Sequence, residues 1–499
     1  MTTRRLLISI FLIYGIFIPV FAQEFVIENM SASIAMIGSC IIIALLFCSG
    51  RAVFINVIIA IYVLQNYLTR PFISIFEKYL PIKNLKYIES MNSFFNPEAA
   101  AVVYWSLLSL LFAWLMGLIL LKNHHKDNYF SVPKIFTRID QTVTKGGFSF
   151  ILAFGLLFFL NYKSPESGLH GSITGEGEAT FLWGIASLST INIVCLYAFL
   201  KRQHDKIKPP NYYLLVLALI TSLSFALAGS RSAVYFLVVT FLVYWLALNI
   251  HKKWKLCSLL QSVSLLLIAA LIAVISGLFA QVLRPLYRYT EHLDAADILM
   301  NLNYESIISN KENLLFGITQ LLHRLSALMA QFYILNDWYI YDPWQYYNPI
   351  TSLMRVINEL VPGDIFPGIL TINQLFNYIY FGTDIHYASE MWGIQGSLYL
   401  YFGHFGAPIV VFLLAIMVNR FYPTLKKALL ASPAFAAFFT IFFFDIITNG
   451  TAERVIPVDI VRPIMSFIIL IFLYKVFSTV LRGLHQTVKK SKVVFTNVI

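Results

Sequence analysis

The sequence predicts an all-α fold, a polytopic bundle of about twelve transmembrane helices with one long, partly helical external loop. Three observations predict it. The first is composition: of 499 residues, 59% are hydrophobic and 12% charged, with a mean hydropathy of +0.73, against roughly 25% charged residues in soluble domains. The second is a recurrence of apolar runs of spanning length. The third is the segregation of arginine and lysine to one set of connecting segments.

A helix that crosses a bilayer needs roughly 17 to 25 predominantly apolar residues. Such runs fall near 6–22, 31–48, 53–68, 99–121, 147–162, 178–200, 211–228, 232–250, 258–280, 394–418, 433–448 and 457–479, with 53–68 and 433–448 at the short limit. Setting Arg4 and Arg5 inside leaves 22 of the 36 basic residues in segments predicted to be cytoplasmic, accompanied only by Asp127, Asp140 and Asp205. That is the positive-inside pattern. It accounts for the pI of about 9.3 without a nucleic-acid partner, and it puts both termini in the cytoplasm.

The bundle is then divided into nine helices over 1–280, an external loop over 281–393, and three helices with a cytoplasmic tail over 394–499. The start, RRLLISIFLIYGIFIPVFAQ, reads either as a signal peptide or as a retained first span. The second reading is favoured because many spans follow. Cys40, Cys48, Cys195 and Cys257 lie in or beside apolar runs without metal-ligand spacing and read as small core residues. No metal or cofactor is implied. The stretches 124–134 and 204–211 read as polar linkers.

The loop from Gln281 to Gly393 holds 11 of the 25 acidic residues and four arginines. A connection this long usually carries structure or function of its own. In GITQLLHRLSALMAQFYILND, Leu321, Leu325, Leu328, Phe332 and Leu335 recur at helical spacing, with Gln320, Arg324, Ala327 and Gln331 on a polar strip beside them. Pro343, Pro349, Pro362 and Pro367 then break the chain into turns and short helices. The aromatics of NDWYIYDPWQYYNP suit stacking on sugar faces and equally suit anchoring at the membrane interface.

Arg231, in ALAGSRSAVYF, opens the eighth apolar run after Gly229, with Ser230 as a plausible N-cap. A cation there opposes the helix dipole. It makes sense if an anion is bound by it and the free N–H groups together, and the alternative is an arginine snorkelling to headgroups. Arg284 and Arg288 follow at i, i+4, and Arg324 and Arg355 complete a set of five. Arginine suits bidentate phosphate recognition, though salt bridges to Glu291, Asp294 or Glu359 would also employ these side chains. His323, beside Arg324, is either a titratable group or a solvent-facing one.

AGSRSAVYF at a span junction, HRLSALMAQFYIL and MRVINELVPGDIF in the outer loop, then Glu390-Met-Trp-Gly with GSLYLYFGHFGAPIVVFLLA resemble the bacterial oligosaccharide repeat-unit polymerases, the O-antigen polymerases of the Wzy type. The ordered likeness covers roughly residues 211–420. It implies a metal-independent, inverting glycosyl transfer at the periplasmic face of the inner membrane. The growing glycan on undecaprenyl pyrophosphate would move to the non-reducing end of a lipid-linked repeat unit, with undecaprenyl pyrophosphate released. The carry-over falls on Arg231, Arg324 and Glu390, with Gly396, Gly403 and Gly406. Arg284, Arg288, Arg355 and His323 join as substrate-binding candidates from spacing alone. Glu390 is a candidate base or an arginine partner, and the glycines read as helix-packing sites. A chain-length regulator is a candidate partner beside the lipid-linked oligosaccharide and the bilayer. Two competing readings stay open: an O-antigen ligase, and a transporter or flippase of the lipid-linked unit.

Overall fold

A computed structural model describes residues 2–21, 23–68, 97–120, 132–162, 188–207, 211–227, 232–253, 349–360, 393–449 and 460–496, with a few isolated positions besides. These residues form α1 (Thr3–Phe21), α2 (Gln23–Glu28), α3 (Met30–Ser49), α4 (Val53–Val63), which continues as a π-turn over Leu64–Leu68, α5 (Pro97–Leu120), α6 (Lys134–Lys145) and α7 (Gly147–Tyr162). Then follow α8 (Leu188–His204), α9 (Tyr212–Leu227), α10 (Ser232–Asn249), α11 (Pro349–Leu360), α12 (Gly393–Ala431), α13 (Pro433–Asn449) and α14 (Arg462–Thr496). Among the described residues there is no β-structure beyond an isolated bridge between Thr2 and Lys253.

Every expected apolar run is helical where it is described; 258–280 and the first part of 178–200 lie outside the described residues. Five helices, α1, α3, α5, α12 and α14, are long and apolar enough to cross a membrane. The shorter apolar helices lie in α4, α9, α10 and α13.

The side chains are arranged for an apolar surrounding. Phe405 is 88% exposed while Gln395 is 1% exposed, and Ile16, Val20 and Phe472 also face outward as Asn56, Asn66 and Asn419 are buried. In lipid, apolar surface gives helices no reason to associate, so close packing and hydrogen bonds hold them together. The crossings accordingly use small residues: Gly15 faces Cys40 between α1 and α3, Gly38 faces Leu108 between α3 and α5, and Gly117 faces Ala415 between α5 and α12. A Cβ on Gly117 would lie 2.5 Å from the Phe412 carbonyl oxygen, so no larger residue fits there.

Two features depart from expectation. The tenth run does not form one continuous span: α12 breaks at Gly403 (φ 66°, ψ −176°), a conformation open essentially only to glycine, which separates 393–402 from 404–431. The second is α6, a helix that begins where the stretch 124–134, read as a polar linker, ends, and that no expected run includes. Ile139 and Val143 are buried and Phe136 packs edge-on against Phe435 and Phe438 of α13, while Lys134, Arg138 and Lys145 are exposed. The helix lies across the bundle, bent 107° from α7.

Hydrogen bonds between helix ends reveal the direction in which each helix runs. Thr3 Oγ1 donates to Asn249 O (2.6 Å), Arg4 Nε to Phe47 O (2.6 Å), Asn419 Nδ2 to Leu118 O (3.0 Å) and Asn211 Nδ2 to Thr144 O (3.0 Å). Asp140 accepts from Ser432 Oγ (2.5 Å) and the Ala434 N–H (2.9 Å). The starts of α1, α9 and α13 therefore share one end of the bundle with the ends of α3, α5, α6 and α10. Tyr422 accepts from the Phe54 N–H (2.8 Å), which adds the start of α4. Arg4, Arg51, Lys145, Lys252, Lys253 and Lys426 all lie at or near these termini, so these six basic residues gather at one end.

Candidate functional site

At the opposite end, α4, α5, α12 and α13 converge on a buried polar cluster. The wider π-turn at the end of α4 changes the angular register of its side chains, and Tyr67 there points inward, fully buried. Tyr67 donates to Gln395 Oε1 on α12, and its hydroxyl lies 3.4 Å from that of Tyr62. Gln395 Nε2 donates to Val103 O (3.0 Å) and to Ser106 Oγ on α5. Tyr104 donates to Tyr67 O (2.8 Å), Tyr399 to Ser106 O (2.9 Å) and Tyr14 of α1 to Leu68 O. Both the donor and acceptor sides of the Gln395 amide are engaged, as a polar group removed from water requires.

This cluster fixes where α12 begins. Gly393 has φ 65°, and a Cβ placed on it would meet the Tyr62 hydroxyl at 2.3 Å and Ile447 O of α13 at 3.0 Å. Only glycine therefore fits the first residue of α12. Gly393 follows Glu390 by three residues, so the cluster holds the chain just after the candidate base. The site's described side chains are neutral phenols, hydroxyls and one amide; their chemistry is positioning rather than proton transfer.

The expectation that the α12 glycines serve as packing sites is thus refined. Gly393 and Gly403 are required by backbone conformation, and Gly406 sits just below the break, where a Cβ would meet Phe402 Cβ at 3.0 Å. Gly396 is buried.

Of the predicted site residues, Arg355 is described. It lies half-buried on α11, on the polar strip with Thr351 and Asn358, while Ile350 and Leu353 on the opposite strip are exposed. Asn358 exchanges two hydrogen bonds with the Phe366 backbone, each 2.9 Å, which folds the chain back after the helix. Arg231, Arg284, Arg288, His323, Arg324 and Glu390 lie outside the described residues. So does the helix expected around Arg324, apart from Leu335, which is buried.

The flanks of Arg231 are described. Leu227 closes α9 and Ser232 opens α10. From the basic end the two helices rise roughly 22 to 26 Å at 1.5 Å per residue, which carries Leu227 and Ser232 to the same end as Gly393. Among the described residues no three His, Cys, Asp or Glu side chains gather as a metal site.

Sequence logic alone missed Tyr62, Tyr67, Tyr104 and Gln395. The available signal was Gln395 itself, an amide inside an apolar run, which has to find partners in neighbouring helices. Comparison with known proteins finds no matching family model, no matching curated protein and no matching solved structure.

Proposed function

We propose that the chain is an inverting, metal-independent polymerase that joins lipid-linked oligosaccharide repeat units at the outer face of a bacterial inner membrane. One observation carries the reading: Leu227 and Ser232, which flank Arg231, and Gly393, which follows Glu390, lie at one end of the bundle, opposite the basic end. The two sequence blocks that carry the resemblance thus adjoin one face, and the positive-inside rule makes it the outer one. Twelve spans with both termini cytoplasmic complete the topology. The residues of α1 support its retention as a span, since Thr3 and Arg4 bond to α10 and α3.

In the proposed reaction a hydroxyl at the non-reducing end of one lipid-linked repeat attacks the anomeric carbon of the donor glycan. The C–O bond to undecaprenyl pyrophosphate breaks, and the configuration inverts in a single displacement. Glu390 takes the hydroxyl proton. Arg231 and Arg324 stabilise the charge that develops on the departing pyrophosphate, as fixed cations in a site of low dielectric can do. Arg284, Arg288, Arg355 and His323 extend this surface toward the lipid-linked substrates.

The test is a deletion strain complemented with wild-type, Arg231→Ala or Arg324→Ala protein, with surface glycan resolved by gel. Loss of long chains with a single repeat retained is expected for the deletion and for both variants. Wild-type ladders from the two variants would remove the site assignment. One feature also fits a transporter of the lipid-linked unit, the break of α12 at Gly403, because discontinuous helices recur at transporter binding sites. Complete absence of surface glycan in the deletion strain would favour that reading or a ligase.

A further inference from the structure

α14 changes character partway along its length. Its buried side is made by Pro463, Ser466, Phe467 and Leu470, and the last of its described apolar side chains to pack against the core is Phe477. On the opposite side the exposed residues are first Met465, Ile468 and Phe472, then Lys475, Thr479 and Arg482. The lipid-facing ridge therefore ends between Phe472 and Lys475, because a charged side chain is costly in hydrocarbon. The helix itself continues unbroken to Thr496, about 28 Å past Phe477 at 1.5 Å per residue.

The apolar stretch nevertheless runs on to Leu484. Val476, Val480 and Leu484 recur at i, i+4 and i+8, on one ridge, and are 43, 52 and 58% exposed. Lys475, Thr479 and Arg482 border that ridge. The Ser478 and Thr479 hydroxyls turn back to the Lys475 carbonyl (3.3 and 2.9 Å), so the two cations are what the border offers to a neighbour. At Gly483, on the same border, a Cβ would meet no atom within 4 Å, and a second backbone can approach closely there.

The charge has no counterpart on the helix. From Lys475 to Ile499 the sequence holds Lys475, Arg482, Lys489, Lys490 and Lys492 and no aspartate or glutamate. α6 and α8 pack against α14 and bring Asp140 and Asp205 to this part of the bundle. Both are engaged elsewhere, Asp140 by Ser432 and the Ala434 N–H, Asp205 by Lys201 and His204.

We propose that this ridge is a docking surface for an acidic amphipathic helix of another protein, its apolar residues on Val476, Val480 and Leu484 and its carboxylates beside Lys475 and Arg482. Amphipathic helices are recognised through anchors at this spacing, and complementary charge along the border selects the partner. A second copy of α14 does not match, since it would set cation against cation. The bilayer surface does not match either: an unbroken helix carries the ridge along its axis past the lipid-facing residues and does not turn it back onto the membrane. The surface is independent of the proposed transfer reaction.

The experiment uses full-length protein in its native cells with Val480→p-benzoylphenylalanine, irradiated, purified and digested, and the cross-linked peptide sequenced by mass spectrometry. A protein adduct is expected, on a peptide with apolar residues at i, i+4 and an excess of Asp and Glu. Phe472→p-benzoylphenylalanine, on the lipid-facing ridge, should give none. With the probe at Val480, Arg482→Glu should lower the adduct about tenfold at an equal level of inserted protein, because like charges then face each other, and Arg482→Lys should retain it. If the Val480 variant does not insert, Leu484 carries the probe. An adduct to the chain's own peptide, to lipid alone or to a segment without acidic excess would overturn the proposal. So would no adduct at either position, equal adducts at Phe472 and Val480, or an adduct unchanged by Arg482→Glu.

Discussion

The two ends of the bundle are fastened by different chemistry. At the basic end, cationic side chains reach back to carbonyls in the last turn of a helix: Arg4 bonds Phe47 O and Cys48 O of α3, and Arg51 bonds Leu118 O and Ile119 O of α5. A cation there adds a donor where the intrahelical ladder runs out and complements the negative end of the helix dipole. The opposite end uses neutral groups, Tyr67, Tyr104, Tyr399 and Gln395. The difference teaches that, among the described residues, the two ends are held by opposite means, cationic side chains on carbonyls at one and neutral hydrogen-bonding groups at the other.

Breaking the neutral end should cost most. Gly393→Ala combines a forbidden backbone with a collision against the Tyr62 hydroxyl and Ile447 O, and a loss of more than about 3 kcal/mol is expected. Thermal unfolding of the purified protein in detergent measures it; near-wild-type stability would mean that α12 does not start as described. Gln395→Leu comes next, since it removes the acceptor of the buried Tyr67 hydroxyl and both links to α5, at about 1 to 3 kcal/mol for a group left unsatisfied. Its effect should exceed that of Asn419→Leu, which removes the bond to Leu118 O.

At the basic end the effects should be smaller. Arg4→Gln and Arg51→Gln each remove a charge-assisted cap of about 1 to 2 kcal/mol. If either were as damaging as Gln395→Leu, the contrast between the ends would fail. A pH-dependent effect concerns Asp140, whose carboxyl burial raises from 3.8 to about 6 despite hydrogen bonds from Ser432 and the Ala434 N–H. Folding therefore favours its protonated form. That contribution is fully present below 3.8 and is lost as pH rises through about 6. Unfolding temperatures taken across this window should fall more steeply with pH for wild type than for Asp140→Asn; parallel slopes would show that Asp140 is not the group responsible.

The helices were legible because their signal is local. The expected run 31–48 became Met30–Ser49 and 99–121 became Pro97–Leu120, since a continuous apolar stretch needs no partner to declare itself. α6 was not legible as a run, because Ile135, Phe136, Ile139 and Val143 are interleaved with Lys134, Arg138 and Asp140 just after Pro133. Its periodicity was nonetheless present. The break at Gly403 could not be read, because a glycine in an apolar run looks the same whether it packs or turns. Of the candidate site residues only Arg355 falls among the described residues, so the sequence reading of that site is set beside the structure at one position alone. The polar cluster at the start of α12 was not legible, since the partners of Gln395 lie 289 to 328 positions away in sequence.

The break in α12 looks like a joint, yet both of its arms are bolted to the same beam. The outer arm meets the far end of α4 through Gln395 and Tyr67, and the inner arm meets the near end through Tyr422 and the Phe54 N–H. α4 with its π-turn spans the elbow as a brace, closing a triangle that cannot change one angle without breaking a side. The bend at Gly403 is accordingly a fixed elbow, which speaks against rocking at that point as a transport stroke. It also makes the length of α4 critical: removing one residue from Leu64–Leu68 would rotate Tyr67 away from Gln395 and unlock the frame.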